Sequence, residues 1–251
     1  MLELEIHDVK CRIKKTEILK GINAEFKSGE MIAVLGKNGA GKTTFIRCIA
    51  GLQDFQGGIQ LKEDGKKLGR SSIAYLPQLN RITSSLTTFE TVLLGLTKDL
   101  TWKVSSQQLE KVSSVITELK LESIADVPVR NLSGGQKQLV FLAQAFVSEP
   151  KLLLLDEPTS ALDVRHQLVV METVSEYCKK NNAIALFVIH DLMLASRYSD
   201  LALFLHKGVI HGFDAPERVI QSQAIDPIYQ IESWVEKNTR GYTTLTPIRP
   251  I

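Results

Sequence analysis

The chain has 251 residues, 30 Lys and Arg against 28 Asp and Glu, a formal net charge of +2 and 44% hydrophobic residues. That length supports one sizeable α/β core with a smaller subdomain, and the dispersed lysines exclude the concentrated basic face of a nucleic-acid binder. Apolar runs reach only about seven residues, against the roughly 20 that a membrane span needs, and no basic-then-apolar export signal opens the chain, so a membrane role is expected only through a partner. Cys11, Cys48 and Cys178 are too few and too scattered for a metal site or a disulfide framework, which points to a reducing, cytosolic compartment.

In chain order, Glu3 to Val9 and Ile22 to Phe26 read as an antiparallel start. The apolar run Met31 to Leu35 then leads into Gly36-Lys37-Asn38-Gly39-Ala40-Gly41-Lys42-Thr43, and Thr44 to Ala50 continues as a helix that Gly51 stops. Strand, loop and helix follow the order of a phosphate loop of the form G-x-x-x-x-G-K-[ST]. The glycines let successive backbone N–H groups wrap an anion at a helix N-terminus, Lys42 would reach the β- and γ-phosphates, and Thr43 offers a hydroxyl to Mg²⁺. Short strands are expected near Ile59 to Leu61 and Ile73 to Leu76.

After Gln78 the pattern turns helical, from Leu79 to about Val129. Thr87-Thr88-Phe89-Glu90 is a capping box opening a helix with Phe89, Val92, Leu93 and Leu96 on one face, and a second helix starts near Ser105 or Ser106 with Leu109, Val112, Ile116 and Leu119 on its stripe. Leu132-Ser133-Gly134-Gly135-Gln136 follows, with Ser133 as N-cap of a helix from Gln136 to Val147. Two adjacent glycines at a helix start cost stability unless something is bound there. A second glycine-rich loop either serves another nucleotide or closes on the first one across an interface.

Lys151 to Leu155 is a continuous apolar run, as in a strand buried on both faces, and it ends in Asp156 and Glu157. In open parallel sheets ligands lie beyond the strands' carboxyl ends, which places Asp156 to hold the Mg²⁺ shell and Glu157 to polarise an attacking water. A second such run, Ala183 to Ile189, ends at His190. His7, His166, His206 and His211 have no comparable context and read as surface or packing residues. Glu232 to Ile251 reads as an extended tail that wraps around the body.

With Lys42, the Ser133 to Gln136 stretch, Asp156, Glu157 and His190 in place, joined by Gln78 in Tyr75-Leu76-Pro77-Gln78 and by Ser160-Ala161-Leu162-Asp163, the chain resembles the ATPase subunit of an ATP-binding cassette (ABC) transporter over nearly its whole length. The resemblance implies an α/β phosphate-loop NTPase core, a mixed sheet with an antiparallel N-terminal β subdomain, plus an inserted helical subdomain. Residues 1–78 and 150–251 would form the nucleotide-binding core and 79–149 the helical subdomain. It implies ATP and Mg²⁺ as ligands and a homodimer holding two ATP head to tail. Each ATP would lie between Gly36, Lys37, Asn38, Gly39, Ala40, Gly41, Lys42, Thr43 and Thr44 of one copy and Ser133, Gly134, Gly135 and Gln136 of the other, with Asp163 alongside. Thr43, Gln78 and Asp156 would hold the metal. Glu157, His190, Gln78 and Lys42 would carry the hydrolysis.

The same resemblance implies transmembrane permease subunits docked near Gln78 to Leu100, an external substrate-binding protein beyond them, no nucleic acid, and a place on the cytoplasmic face of the membrane. Leu162 to Gln167, His190 to Asp200 and Thr91 to Gly95 are similar to ATPases of iron-siderophore, haem or cobalamin importers. An exporter subunit or a soluble assembly ATPase would share the nucleotide motifs. In one place the chain departs from the family: the aromatic residue that many members stack on adenine is absent from Val9 to Lys15, so stacking falls to Ile13 or Arg12.

Overall fold

A computed structural model describes residues 1–78, 84–96, 104–160 and 162–251. Its centre is a six-stranded sheet in the order β10-β9-β3-β8-β7-β6, built from β3 (Met31–Leu35), β6 (Ile73–Leu76), β7 (Leu152–Asp156), β8 (Ile184–Val188), β9 (Leu201–His206) and β10 (Val209–Asp214). All pairs are parallel except β9 with β10. Strand residues alternate between faces. Met31, Ala33, Leu35, Leu153, Leu155, Ala185, Phe187, Ala202 and Phe204 therefore join one core, while Ile32, Val34, Leu152, Leu154, Ile184, Leu186, Val188, Leu203 and Leu205 join another. Two buried faces explain why these strands are continuous apolar runs and not alternating ones.

One face is covered by α1 (Lys42–Ile49) and by an antiparallel sheet in the order β2-β1-β4-β5, made of β1 (Leu2–Ile13), β2 (Thr16–Lys27), β4 (Gln56–Glu63) and β5 (Lys66–Lys67). Phe45, Ile46, Cys48 and Ile49 of α1 are buried there, each large side chain contributing about 1.5–3 kcal/mol. The other face is covered by α5 (Val164–Asn181), α6 (Leu192–Tyr198) and α8 (Ser222–Tyr229), with α7 (Pro216–Val219) beside them.

The helical part contains α2 (Thr88–Leu93), α3 (Ser106–Glu118) and α4 (Gly134–Phe146). Thr87 and Glu90 form the expected capping box, and Ser105 caps α3 in the same way with Gln108. Val92, Leu96, Val112, Ile116, Val140 and Ala143 make a separate small core. The helix α4 belongs to both cores, since Leu142 and Phe146 pack into the main one. Leu109 departs from the expected stripe and is exposed at the start of α3, where no other described element reaches far enough to cover it. Residues 79–83, 97–103 and 161 lie outside the described residues; they include nine residues of the expected permease-docking segment Gln78 to Leu100, and Ala161.

The tail corrects the expectation of an extended wrap. Residues 231–250 fold into a hairpin of β11 (Ile231–Lys237) and β12 (Thr243–Pro250), paired from Lys237↔Thr243 to Ile231↔Pro250. It is tied down by polar side chains: Ser233 Oγ donates to Asp226, Ser233 N–H donates to the other oxygen of the same carboxylate at 3.0 Å, and Thr243 N–H donates to Ser196 Oγ at 3.0 Å. Asn238, whose side chain accepts from Arg240 and Tyr242 N–H groups, shapes the turn that lets the strands meet.

Candidate functional site

Because β3, β6, β7 and β8 run parallel, their carboxyl ends share one edge, and every chemistry-bearing residue of the first cluster leaves from there. The loop 36–41 leaves β3 and opens α1, with Gly41 as N-cap. Gly36 has φ +140°, and a Cβ there would lie 2.2 Å from Leu205 O, so this backbone position excludes any other residue. Asn38 and Gly39 are exposed at the tip, while Ala40 and Lys42 are buried.

Lys42 Nζ donates to Gly36 O at 2.7 Å and to Lys37 O at 3.1 Å, which holds the ammonium across its own loop. Burial pushes its pKa down, and the nearby Glu157 and Asp156 carboxylates act against that shift. Asp156, the last residue of β7, is buried and accepts from Thr43 Oγ1 at 2.9 Å and from Tyr75 OH at 3.4 Å. Burial raises its carboxyl above the usual range; the Thr43 hydrogen bond opposes this and the Glu157 charge adds to it.

Glu157 has φ +52°, the left-handed region that non-glycine residues adopt rarely, so its side chain turns out of the strand direction. Its two oxygens are both engaged: Oε2 accepts from Gln78 Nε2 at 2.6 Å, and Oε1 lies 2.9 Å from His190 Nε2. Gln78 comes from the end of β6 and His190 from the end of β8, so the strand order itself assembles Gln78, Glu157 and His190 around one carboxylate.

Ser133, Gly134, Gly135 and Gln136 form the N-terminus of α4. Ser133 Oγ accepts from Gln136 N–H at 3.3 Å and Gln136 Oε1 accepts from Ser133 N–H at 2.9 Å, a complete capping box that leaves Gln136 Nε2 and the Ser133 hydroxyl proton as donors. Gly135 is explained inside the chain: a Cβ there would fall 2.2 Å from Cδ2 of the His166 ring. The pair of glycines is therefore required in part by packing, and a ligand is not their whole reason. Asp163 caps α5, and hydrogen bonds from the His166 backbone and ring hold its carboxyl below the usual range.

The sequence-predicted residues thus gather in two groups. Lys42, Thr43, Gln78, Asp156, Glu157 and His190 are linked in the first; Ser133 to Gln136 and Asp163 lie in the second, with His166. Among the described residues no hydrogen bond or ion pair joins the two groups. Sequence reasoning missed three contributors. Tyr75 braces Asp156 and accepts from Arg47 Nε at 3.4 Å, and the only signal for it was its place three residues before Gln78. His166 was set aside as packing. Tyr229 of α8 reaches the phosphate loop: burial raises its phenol, partly offset by the Gly36 backbone N–H.

The donor set at Thr43 and Asp156, a hydroxyl and a carboxylate 2.9 Å apart, is the hard-oxygen chemistry that Mg²⁺ prefers, while Gln78 is held on the neighbouring Glu157. Among the described residues no cluster of three or more His, Cys, Asp or Glu could hold a metal ion by itself, and no described helix is long and apolar enough to cross a membrane.

Comparison with known proteins identifies the family. Residues 19–160 match the family described as ABC transporter. The chain is 37% identical over 254 residues to an uncharacterized ABC transporter ATP-binding protein of Methanocaldococcus jannaschii, covering 99% of both. It is 31% identical over 244 residues to the hemin import ATP-binding protein HmuV of Plesiomonas shigelloides, covering 88% of this chain and 92% of that one. A solved metal-chelate type ABC transporter in an inward-facing conformation matches with a TM-score of 0.87 at 25% identity, over 99% of this chain and 98% of the other. The family match over residues 19–160 and the 37% identity over 99% of the chain make this chain a member of the ABC transporter family, an ATP-binding ATPase subunit.

Proposed function

We propose that this chain energises import of a metal chelate, an iron-siderophore, haem or cobalamin, through separate transmembrane permease subunits on the cytoplasmic face of the membrane. The observation that carries the reading is the full-length likeness to a metal-chelate type transporter, 99% of this chain at TM-score 0.87. The hemin import relative supports the same cargo class. An external binding protein would deliver that cargo to the permease.

The working unit is a homodimer. The two separated groups of site residues fit a head-to-tail pair in which Gly36 to Thr44 of one copy and Ser133 to Gln136 of the other hold each ATP, with Asp163 alongside. Residues 1–78 and 150–251 act as the nucleotide core and 79–149 as the lever, with the permease meeting it near Gln78 to Leu100. Mg²⁺ held by Thr43, Asp156 and Gln78 would neutralise phosphate charge.

Glu157 and His190, 2.9 Å apart, orient a water in line with the γ-phosphorus. The new P–O bond forms as the bond to the β-γ bridging oxygen breaks, and the water's proton passes toward the Glu157 carboxylate. Lys42 and the N–H groups at the start of the partner's α4 stabilise the charge on the leaving and transferred oxygens. Loss of the γ-phosphate removes what joined the copies, and α4 passes the reopening from the nucleotide core to the helical part.

Mass spectrometry of proteins co-purified with the tagged Glu157→Gln chain from detergent-solubilised native membranes tests the assignment. A many-spanning permease is expected. Soluble partners only would replace the reading with an assembly ATPase, and an exporter-type permease would reverse the direction of transport.

Base selectivity gives a second expectation. Ile13 ends β1 partly exposed and offers no ring to stack on; aromatic stacking on a base is worth about 1–3 kcal/mol. GTP should therefore compete with ATP in a hydrolysis assay with an inhibition constant within about tenfold of the ATP KM, equivalent to under about 1.4 kcal/mol of discrimination. A preference for ATP of about a hundredfold or more would show that another group reads adenine.

A further inference from the structure

His166 stands in the first turn of α5 with no role in the nucleotide motifs, yet its ring touches both parts of the second group of site residues. Nδ1 lies 2.9 and 2.8 Å from the two carboxylate oxygens of Asp163, and the His166 backbone N–H donates to the same carboxylate at 2.9 Å. The opposite side of the ring fills the space over Gly135, where a Cβ would come within 2.2 Å of Cδ2, 2.5 Å of Cγ and 2.9 Å of Nε2. Gly135 is buried and its φ is not positive, so the ring, and not the backbone conformation, is what demands glycine there. The side chain is 30% exposed, so most of it is wedged between the start of α4 and the loop before α5.

We propose that His166 is a positioning residue that locks the Asp163 loop to the N-terminus of α4, so that Asp163 and the Ser133 to Gln136 amides meet the partner copy's ATP as one rigid unit. The proposal rests on the head-to-tail reading above. A single ring does two things here. Its N–H holds the carboxylate in one orientation, and its bulk fixes the distance between two segments that the chain separates by about thirty residues. Misplacement by about 1 Å of groups that act together on a transition state costs on the order of a hundredfold in rate, and loss of one brace out of several is expected to cost less. The nucleotide's first contacts are with Gly36 to Thr44, which His166 does not touch, so its loss acts after ATP has bound.

Steady-state hydrolysis of the full chain tests this with His166→Ala, His166→Gln and His166→Phe, and gel filtration with Mg-ATP follows pairing in the Glu157→Gln background. His166→Ala is expected to lower kcat about tenfold with the ATP KM within about twofold, and to raise the ATP concentration at which Glu157→Gln pairs. His166→Gln should recover most of kcat, because its amide N–H reaches Asp163 and its planar end fits over Gly135. His166→Phe should stay low, since it fills the space without holding the carboxylate. Wild-type kcat in His166→Ala, or equal recovery by Phe and Gln, would reduce His166 to packing and overturn the proposal. Should His166→Ala fail to fold, the Gln and Phe variants compared at matched Tm decide between the same two results. A Glu157→Gln chain that pairs normally with and without His166→Ala overturns the His166 role alone, whereas one that never pairs overturns the head-to-tail reading and this proposal with it.

Discussion

Replacing Glu157 by Gln is expected to abolish turnover, by a hundredfold or more, while leaving a chain that binds ATP and stalls as a closed pair. General base catalysis contributes typically about 10²–10⁴ in rate. Glu157 is engaged by Gln78 Nε2 at 2.6 Å and by His190 Nε2 at 2.9 Å, one partner on each oxygen. Glutamine keeps the shape and one acceptor, but its NH₂ end faces a donor, and an amide takes up no proton from water. Lys42, Thr43 and Asp156 do not depend on the Glu157 carboxylate for their hydrogen bonds to one another or to the phosphate loop, so ATP binding survives. Gel filtration under saturating Mg-ATP, with phosphate release measured in parallel, checks both halves. A Glu157→Gln chain that stays monomeric, or hydrolyses at the wild-type rate, removes Glu157 from the base role.

Lys42→Ala acts one step earlier. The buried ammonium is the only cation whose side chain is held across the phosphate loop by that loop's own carbonyls among the described residues, at 2.7 and 3.1 Å. A hydrogen bond involving a charged group contributes about 1.5–3 kcal/mol, and about 1.4 kcal/mol is a factor of ten in affinity. ATP binding measured by calorimetric titration should therefore weaken about ten- to a hundredfold, with Tm little changed because Gly36 and Lys37 carbonyls regain water. Under the head-to-tail reading, pairing is then expected to need about ten- to a hundredfold more ATP than in the unsubstituted chain. Wild-type affinity in Lys42→Ala would mean that the loop's amides hold the nucleotide unaided. The two substitutions separate the cycle: Lys42→Ala is expected to weaken the ATP-binding step before pairing, and Glu157→Gln to block the step after it.

Much of the nucleotide core was legible because its signals are local. Met31 to Leu35, Leu152 to Leu155 and Ile184 to Val188 are apolar without interruption since both sheet faces are covered, and a strand buried on two sides has no alternative composition. The caps at Thr87 and Ser133 were equally readable, because a capping box closes within four residues and needs nothing from the rest of the fold. Leu109 shows where this stops. It has the right phase for the α3 stripe, but phase places a residue on a face and does not say whether a neighbour covers that position.

The tail and the second site group escaped for the reverse reason. Ile231 meets Pro250 and Lys237 meets Thr243, pairings that depend on the turn at Asn238 and on Asp226 and Ser196 receiving the hairpin, so residue types alone left an extended segment as the reading. His166 and Gly135 are far apart in sequence, and only their contact explains why a larger residue at Gly135 would have to displace the His166 ring. By itself the sequence determined the strand-loop-helix of the phosphate site, the acid pair at a strand end and the family, since each is written in a continuous stretch whose spacing follows from backbone geometry. Only the tertiary structure decided that Gln78 and His190 meet at the Glu157 carboxylate, that Tyr75 braces Asp156 and that the His166 ring lies over Gly135, because parallel strand order and helix packing bring together residues that no local period connects.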